Sequence, residues 1–183
     1  MSQKLLTIWF ILLSVSVFAQ NNNVQQQGSI YPDKNLRGDR FMKFASDSYD
    51  EIVVGIPITI GIVGLIKHDK KWINSAGQII VANAINYGAT YSLKSGFNSP
   101  FPSGHTSSTF ATATSHSLAF PKWYVIVPSY IWAGTVGYSR VELGIHSRSD
   151  VYGGIIIGAG SAYLTYKLNK WINKPSTKKL EQQ

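Results

Sequence analysis

The sequence predicts an all-α protein: a compact bundle of about five core helices, transmembrane, preceded by a signal peptide or an N-terminal helix. Three observations lead there. Five apolar stretches, at about 52–66, 72–93, 105–120, 123–139 and 151–168, are separated by polar or Gly/Pro-containing breaks. None of them alternates with the period of two that a half-buried strand requires. Only 14% of residues are charged, against about 25% in an average soluble protein, and 13% are aromatic. The cations also sort by connection. If the chain after its N-terminal segment starts outside, the inner loops and tail carry Lys67, Lys70, Lys71, Lys122, Lys167, Lys170, Lys174, Lys178 and Lys179. The outer turns after the second and fourth stretches then carry only Lys94, Arg140 and Arg148, which is the positive-inside pattern.

Taken in order, residues 1–19 read as a signal peptide or an N-terminal transmembrane helix: Lys4, an apolar run over 5–18, and Val17-Phe18-Ala19 as a small-x-small site. Residues 20–50 form an exported linker and an amphipathic segment. The first part is Asn/Gln-rich, and 36–51, with Arg37, Arg40, Phe41, Phe44 and Tyr49, is a helix that lies on a membrane surface or packs on the body. Residues 51–170 make the helical domain, and 171–183 a basic tail. Within the domain, 52–66 is strongly apolar but short. Residues 105–120 are mostly Ser, Thr and Ala, with His116 among them, and make a poor span taken alone. Glycines such as Gly153, Gly154, Gly158 and Gly160 allow close helix contact. Trp72, Trp123, Tyr124 and Trp171 near the span ends fit an interfacial belt or a core.

Composition narrows the function. The net charge is +8, yet the basic residues form no single stripe and no zinc-finger pattern, so nucleic acid is not an expected partner. The absence of cysteine excludes disulfides and thiolate metal sites.

Two clusters carry chemistry. In Pro102-Ser103-Gly104-His105, Pro102 interrupts what precedes it and Ser103 is a good N-cap, so a helix starts here. Its unpaired N–H groups and partial positive charge suit an anion such as phosphate. Gly104 admits close backbone approach, and His105 stands ready to protonate a leaving oxygen. In Ser139-Arg140-x5-His146-x3-Asp150, a helix starting near His146 would put His146 and Asp150 on one face. A carboxylate on one ring nitrogen leaves the other as a nucleophile. Arg140 can grip phosphate oxygens in a fork. Read blandly, both clusters are helix caps with nearby histidines.

Lys94 followed by these two motifs resembles the type 2 phosphatidic acid phosphatase family. That family comprises lipid phosphate phosphatases, bacterial acid phosphatases and, more distantly, vanadium haloperoxidases. The second and third motifs match at every position, and the likeness spans about 50–170. The resemblance implies an all-helical core and a metal-independent, cofactor-free phosphoric monoester hydrolase working through phosphohistidine. By it, His146 is the nucleophile, Asp150 orients it and His105 is the general acid. Lys94, Ser103, Gly104 and Arg140 hold the phosphate.

The first motif departs from the family. There, Lys is followed by six residues and then Arg-Pro. Here Phe101-Pro102 stands at that place, and the spacer before the second motif has collapsed. Arg148 is the candidate replacement for the missing arginine, with Arg37 and Arg40 behind it. His116 is expected to be a hydrogen-bonded interior residue, and His68 a solvated one in a Lys-rich turn. The expected function is hydrolysis of a phosphate or pyrophosphate monoester, of a lipid above all, at the outer face of a bacterial inner membrane. A soluble exported acid phosphatase and a catalytically weakened lipid-phosphate-binding membrane protein are the alternatives.

Overall fold

A computed structural model describes residues 37–97 and 99–173, which contain six α-helices and no strand. These are α1 (Arg37–Asp47), α2 (Tyr49–Ile66), α3 (Lys70–Phe97), α4 (Gly104–Ala119), α5 (Trp123–Glu142) and α6 (Arg148–Ile172). The expected signal segment at 1–19, the linker over 20–35 and the tail from 174 onward lie outside the described residues. Helices α2 to α6 correspond one to one with the five apolar stretches, and all but α4 continue into polar residues. Helix α3, for example, runs on to Phe97 and so carries Lys94 in its last turn.

The single amphipathic helix expected over 36–51 is instead two pieces. Helix α1 ends at Asp47 and α2 begins at Tyr49, with the Ser48 hydroxyl donating to the Ala45 carbonyl (3.0 Å) at the elbow. Ala45 and Ser46 are the buried residues of α1, while Phe41 and Phe44 remain exposed. Helix α1 packs on α5 through that small-residue face.

Helix α4, the most polar of the core, occupies the centre and touches α2, α3, α5 and α6. Residues 111–117 are all buried, so no side of that stretch faces outward. Small side chains make this enclosure sterically feasible, and hydrogen bonds to neighbouring helices engage several of the helix's polar groups. Thr90 bonds Ser107 (3.0 Å), while Asn83 and Asn86 donate to Thr112 (2.9 Å) and Ser108 (3.1 Å). Thr114 meets Tyr130 (3.0 Å), and His116 Nδ1 lies 3.3 Å from Ser129 Oγ, which makes His116 the interior residue expected. Each such interhelical bond contributes about 0.6–2 kcal/mol in a membrane protein.

The exterior is the reverse. Ile58, Ile62, Ile80, Ile131, Ile156 and Leu164 are all exposed. A polar centre inside an apolar surface is the distribution that hydrocarbon solvent demands, since polar groups must find partners within the protein. Among the described helices, α2 is long and apolar enough to cross a membrane by length and composition. Helix α4 meets neither condition and is sheltered by its neighbours instead.

The lysine-rich ends gather at one end of the bundle. Trp72 at the start of α3 packs on Phe120 at the end of α4 (4.7 Å between ring centres), with Lys67 over Trp72 and Lys71 over Phe120. His68 in the same turn is exposed. Of the expected belt residues, Trp123 and Trp171 are exposed and Trp72 is part of the core.

Helices α4 and α6 approach most closely at two glycines one turn apart. A Cβ on Gly154 would lie 2.8 Å from the Ser103 carbonyl oxygen, and one on Gly158 only 2.0 Å from that of Ser107. Backbone oxygens cannot step aside as a flexible side chain can. Gly158→Ala is therefore expected to cost about 1–3 kcal/mol or more, the range for overpacking. Gly160→Ala, whose Cβ meets nothing within 4 Å, is expected to be neutral or stabilising. Thermal unfolding of both variants in one detergent checks the pair.

Candidate active site

The site is assembled where the start of α4 meets the start of α6. Ser103 caps α4, is fully buried, and its Oγ accepts from the Thr106 N–H (3.5 Å) and the Thr106 hydroxyl (2.9 Å). Its own N–H donates to the Asp150 carbonyl (2.9 Å). One backbone hydrogen bond thus joins two motifs that are 47 residues apart, from Ser103 to Asp150. The Gly104 and His105 N–H groups belong to the first turn of α4 and have no carbonyl four residues earlier in the helix. The Lys94 ammonium lies over this turn, 3.9 Å from where a Gly104 Cβ would stand. A helix N-terminus and an ammonium together suit a phosphate.

The third motif is folded by its own capping. Helix α6 starts at Arg148, two residues after His146, so His146 stands just outside the helix and meets Asp150 of its first turn. Ser147 is the cap: its Oγ accepts from the Asp150 N–H (3.2 Å) and Asp150 Oδ2 accepts from the Ser147 N–H (2.9 Å). This reciprocal box fixes the carboxylate. His146, immediately before the cap, then has Nδ1 3.5 Å from Asp150 Oδ2, an ion-pair contact longer than an ordinary hydrogen bond. The bland reading, Asp150 as a capping residue, and the orienting role therefore coexist in one carboxylate.

Arg140 lies at the end of α5. Its carbonyl accepts from the N–H groups of Ile145 and His146 (both 3.0 Å), so the turn after α5 folds back and brings His146 to the guanidinium that precedes it. The Arg140 side chain is buried, and its Nη1 donates to Ser46 Oγ of α1.

These groups converge. The charges of Arg140, His146 and Lys94 all act on His105, and those of Arg140, Asp150 and Lys94 on His146. Burial and the adjacent Arg140 hold the His146 imidazolium below the ordinary histidine range, with Asp150 pulling the other way. His146 is thereby kept neutral, with a lone pair, beside two cations that can attract a dianion.

Arg148 is not among those cations. It is exposed, and its charge acts on Tyr138 on the outside of α5. The geometry therefore gives no support to Arg148 as the replacement for the missing arginine. The Arg40 side chain is exposed, and that of Arg37 lies outside the described ones. At the arginine position itself, the Phe101 ring lies against Gly153 of α6, where a Cβ would come within 2.2 Å of it. An apolar contact with α6 thus stands where a phosphate-gripping cation was expected.

Two residues near the site escaped the sequence motifs, Ser46 and Tyr49. Ser46 bonds Arg140, and the Tyr49 ring lies 4.0 Å, centre to centre, from that of His105. Neither belongs to a motif, and only the α1–α2 elbow brings them in.

The PAP2 superfamily model matches residues 52–174, a span that includes Lys94 and both motif clusters. The chain belongs to the PAP2 superfamily. Its curated relatives include a lipid A 4'-phosphatase of Bacteroides thetaiotaomicron, 35% identical over 66 residues (36% of this chain, 29% of the relative). A lipid A 1-phosphatase of Rhizobium johnstonii is 38% identical over 78 residues (42% and 30%). The matched segments thus span less than a third of either relative. Two solved PAP2 structures share the fold. Aquifex aeolicus LpxE has a TM-score of 0.60 and 21% identity, covering 85% of this chain and 95% of that one. The transmembrane PAP2-type phosphatidylglycerolphosphate phosphatase of Bacillus subtilis has 0.64 and 18%, covering 96% and 100%.

The electrostatics of His146 can be read without any turnover. In NMR of the imidazole resonances, His146 is expected to titrate below the ordinary value of about 6.5. Arg140→Gln should move that titration upward and Asp150→Asn should move it further down, because the two neighbours act in opposite directions.

Proposed function

We propose that this PAP2 protein is a metal-independent phosphatase that hydrolyses a phosphate or pyrophosphate monoester of a lipid. The observation that supports it best is the convergence of Lys94, His105, Arg140 and His146 around the free N-terminus of α4. The phosphate is held by Lys94, Arg140 and the first N–H groups of α4. His146 Nε2 attacks phosphorus while the bond to the departing oxygen breaks, and His105 gives that oxygen its proton. Asp150 faces Nδ1 and stabilises the ring as it takes the phosphoryl group. Water then attacks the phosphohistidine, losing a proton to His105. Inorganic phosphate leaves and His146 is restored.

The named relatives act on lipid A, and a lipid A-type phosphate is the substrate class we assign. The apolar exterior supports a lipid substrate and a membrane location over the soluble acid phosphatase reading. The site lies at the end of the bundle away from Lys67, Lys71 and Lys122. Under the positive-inside pattern this supports an active site on the outer face of the inner membrane. One observation favours a weaker enzyme: Phe101 stands where the family has arginine. A charge-assisted hydrogen bond contributes about 1.5–3 kcal/mol, so its absence slows turnover without abolishing it.

Release of phosphate from lipid A and from phosphatidylglycerol phosphate in detergent micelles tests the proposal. His146→Ala is expected to reduce release by about a thousandfold or more, since removing a nucleophile leaves only binding and electrostatics. A rate equal to wild type would reject the mechanism. An acid-labile, base-stable phosphoryl adduct on His146 should be trapped from wild type alone. In the pH profile of kcat/KM, the acidic limb is expected below about 6.5. Protonation disables His146, and its lowered pKa keeps it neutral to more acidic pH.

A further inference from the structure

The family match starts at residue 52, yet the site is touched by residues before it. Ser46 and Tyr49 flank the elbow between α1 and α2, and they reach Arg140 and His105 respectively. Resting on the phosphatase reading above, we infer that Tyr49 is a positioning residue that holds the His105 imidazole in line for proton delivery to the leaving group.

The geometry supporting this is specific. Among the described residues, neither ring nitrogen of His105 has a hydrogen-bond partner. The imidazole is therefore not oriented as His146 is, by a carboxylate, or as His116 is, by a serine. Its ring contact is with Tyr49, at 4.0 Å between centres and 36° between planes. That is closer than the roughly 4.5–7 Å usual between aromatic ring centres, so the two rings are in direct contact. A ring laid on the imidazole restricts its χ angles without engaging either nitrogen in a hydrogen bond. A hydrogen-bond partner would instead occupy one nitrogen and fix the tautomer. A group that must donate a proton in one half of the cycle and accept one in the other benefits from free nitrogens. Tyr49 itself is anchored, since it opens α2 directly after the Ser48 elbow and is partly buried.

A general acid matters in proportion to how poor the leaving group is. Nitrophenolate leaves without a proton, whereas an alkoxide does not. The experiment therefore compares 4-nitrophenyl phosphate with a short-chain dialkylglycerol phosphate in the same micelles, using full-length wild type, His105→Ala, Tyr49→Phe and Tyr49→Leu. The expected result for Tyr49→Leu is a kcat loss on the alkyl phosphate at least tenfold greater than on the nitrophenyl ester. KM for both should stay within about threefold, because Lys94 and Arg140 are untouched. Tyr49→Phe keeps the ring and should restore the alkyl rate to within about threefold of wild type. His105→Ala should show the same leaving-group selectivity, larger in size, since general acids contribute about 10²–10⁴-fold.

Equal loss on both substrates in Tyr49→Leu means a merely structural role and overturns the inference, as does failure of Tyr49→Phe to restore the rate. If His105→Ala is selective and Tyr49→Leu is not, the inference falls and the phosphatase mechanism stands. If wild type hydrolyses neither ester and releases no phosphate from lipid A, the phosphatase reading falls and the inference falls with it.

Discussion

The hydrogen bond from the Ser103 N–H to the Asp150 carbonyl is the constraint on which the rest of the site depends. It forms at the place where α4 and α6 both begin, and it can form only because the two backbones come this close. Gly154 and Gly158 make that approach feasible, their absent side chains leaving room for the carbonyls of Ser103 and Ser107. Once the two helix starts are joined, the first-turn N–H groups of α4 and the carboxylate box of α6 are fixed relative to one another. His105 and His146 inherit their positions from those two starts.

The same junction organises the charges. Arg140 arrives from the end of α5, Lys94 from the end of α3, and both cations lie within electrostatic reach of the two histidines. Two buried or half-buried cations beside two imidazoles favour the binding of an anion. They also disfavour protonation of the imidazoles, an effect that Asp150 opposes at His146. Binding a dianion would relieve the repulsion and raise the proton affinity of His105, so the substrate itself helps to charge the acid that cleaves it.

The membrane setting explains the interior. Helix α4 is rich in Ser and Thr, which would serve poorly against lipid, and the bundle encloses it on every side over residues 111–117. Enclosing a polar helix lets hydrogen bonds such as Thr90–Ser107 and Asn83–Thr112 tie α3 to α4, and that rigid pairing brings Lys94 to the start of α4. The apolar residues that would have formed the core of a soluble bundle face outward instead.

Much of this was legible in the chain itself. The five core helices follow from apolar runs and their breaks, because backbone polar groups in lipid leave helices as the natural solution for such runs. Lys94, His105, Arg140, His146 and Asp150 were readable because their spacing is local to two short motifs and a helix end. The roles of Ser46 and Tyr49 were not, since each meets its partner across more than fifty residues of intervening chain and carries no motif. Nor could the sequence decide whether Arg148, only two residues from both His146 and Asp150, would face inward. Its position one residue after the Ser147 cap turns it to the surface. Sequence settles what is governed by local periodicity, capping and motif spacing. Only the tertiary structure decides which side chains from distant segments share a site, because that depends on how closely the helices pack.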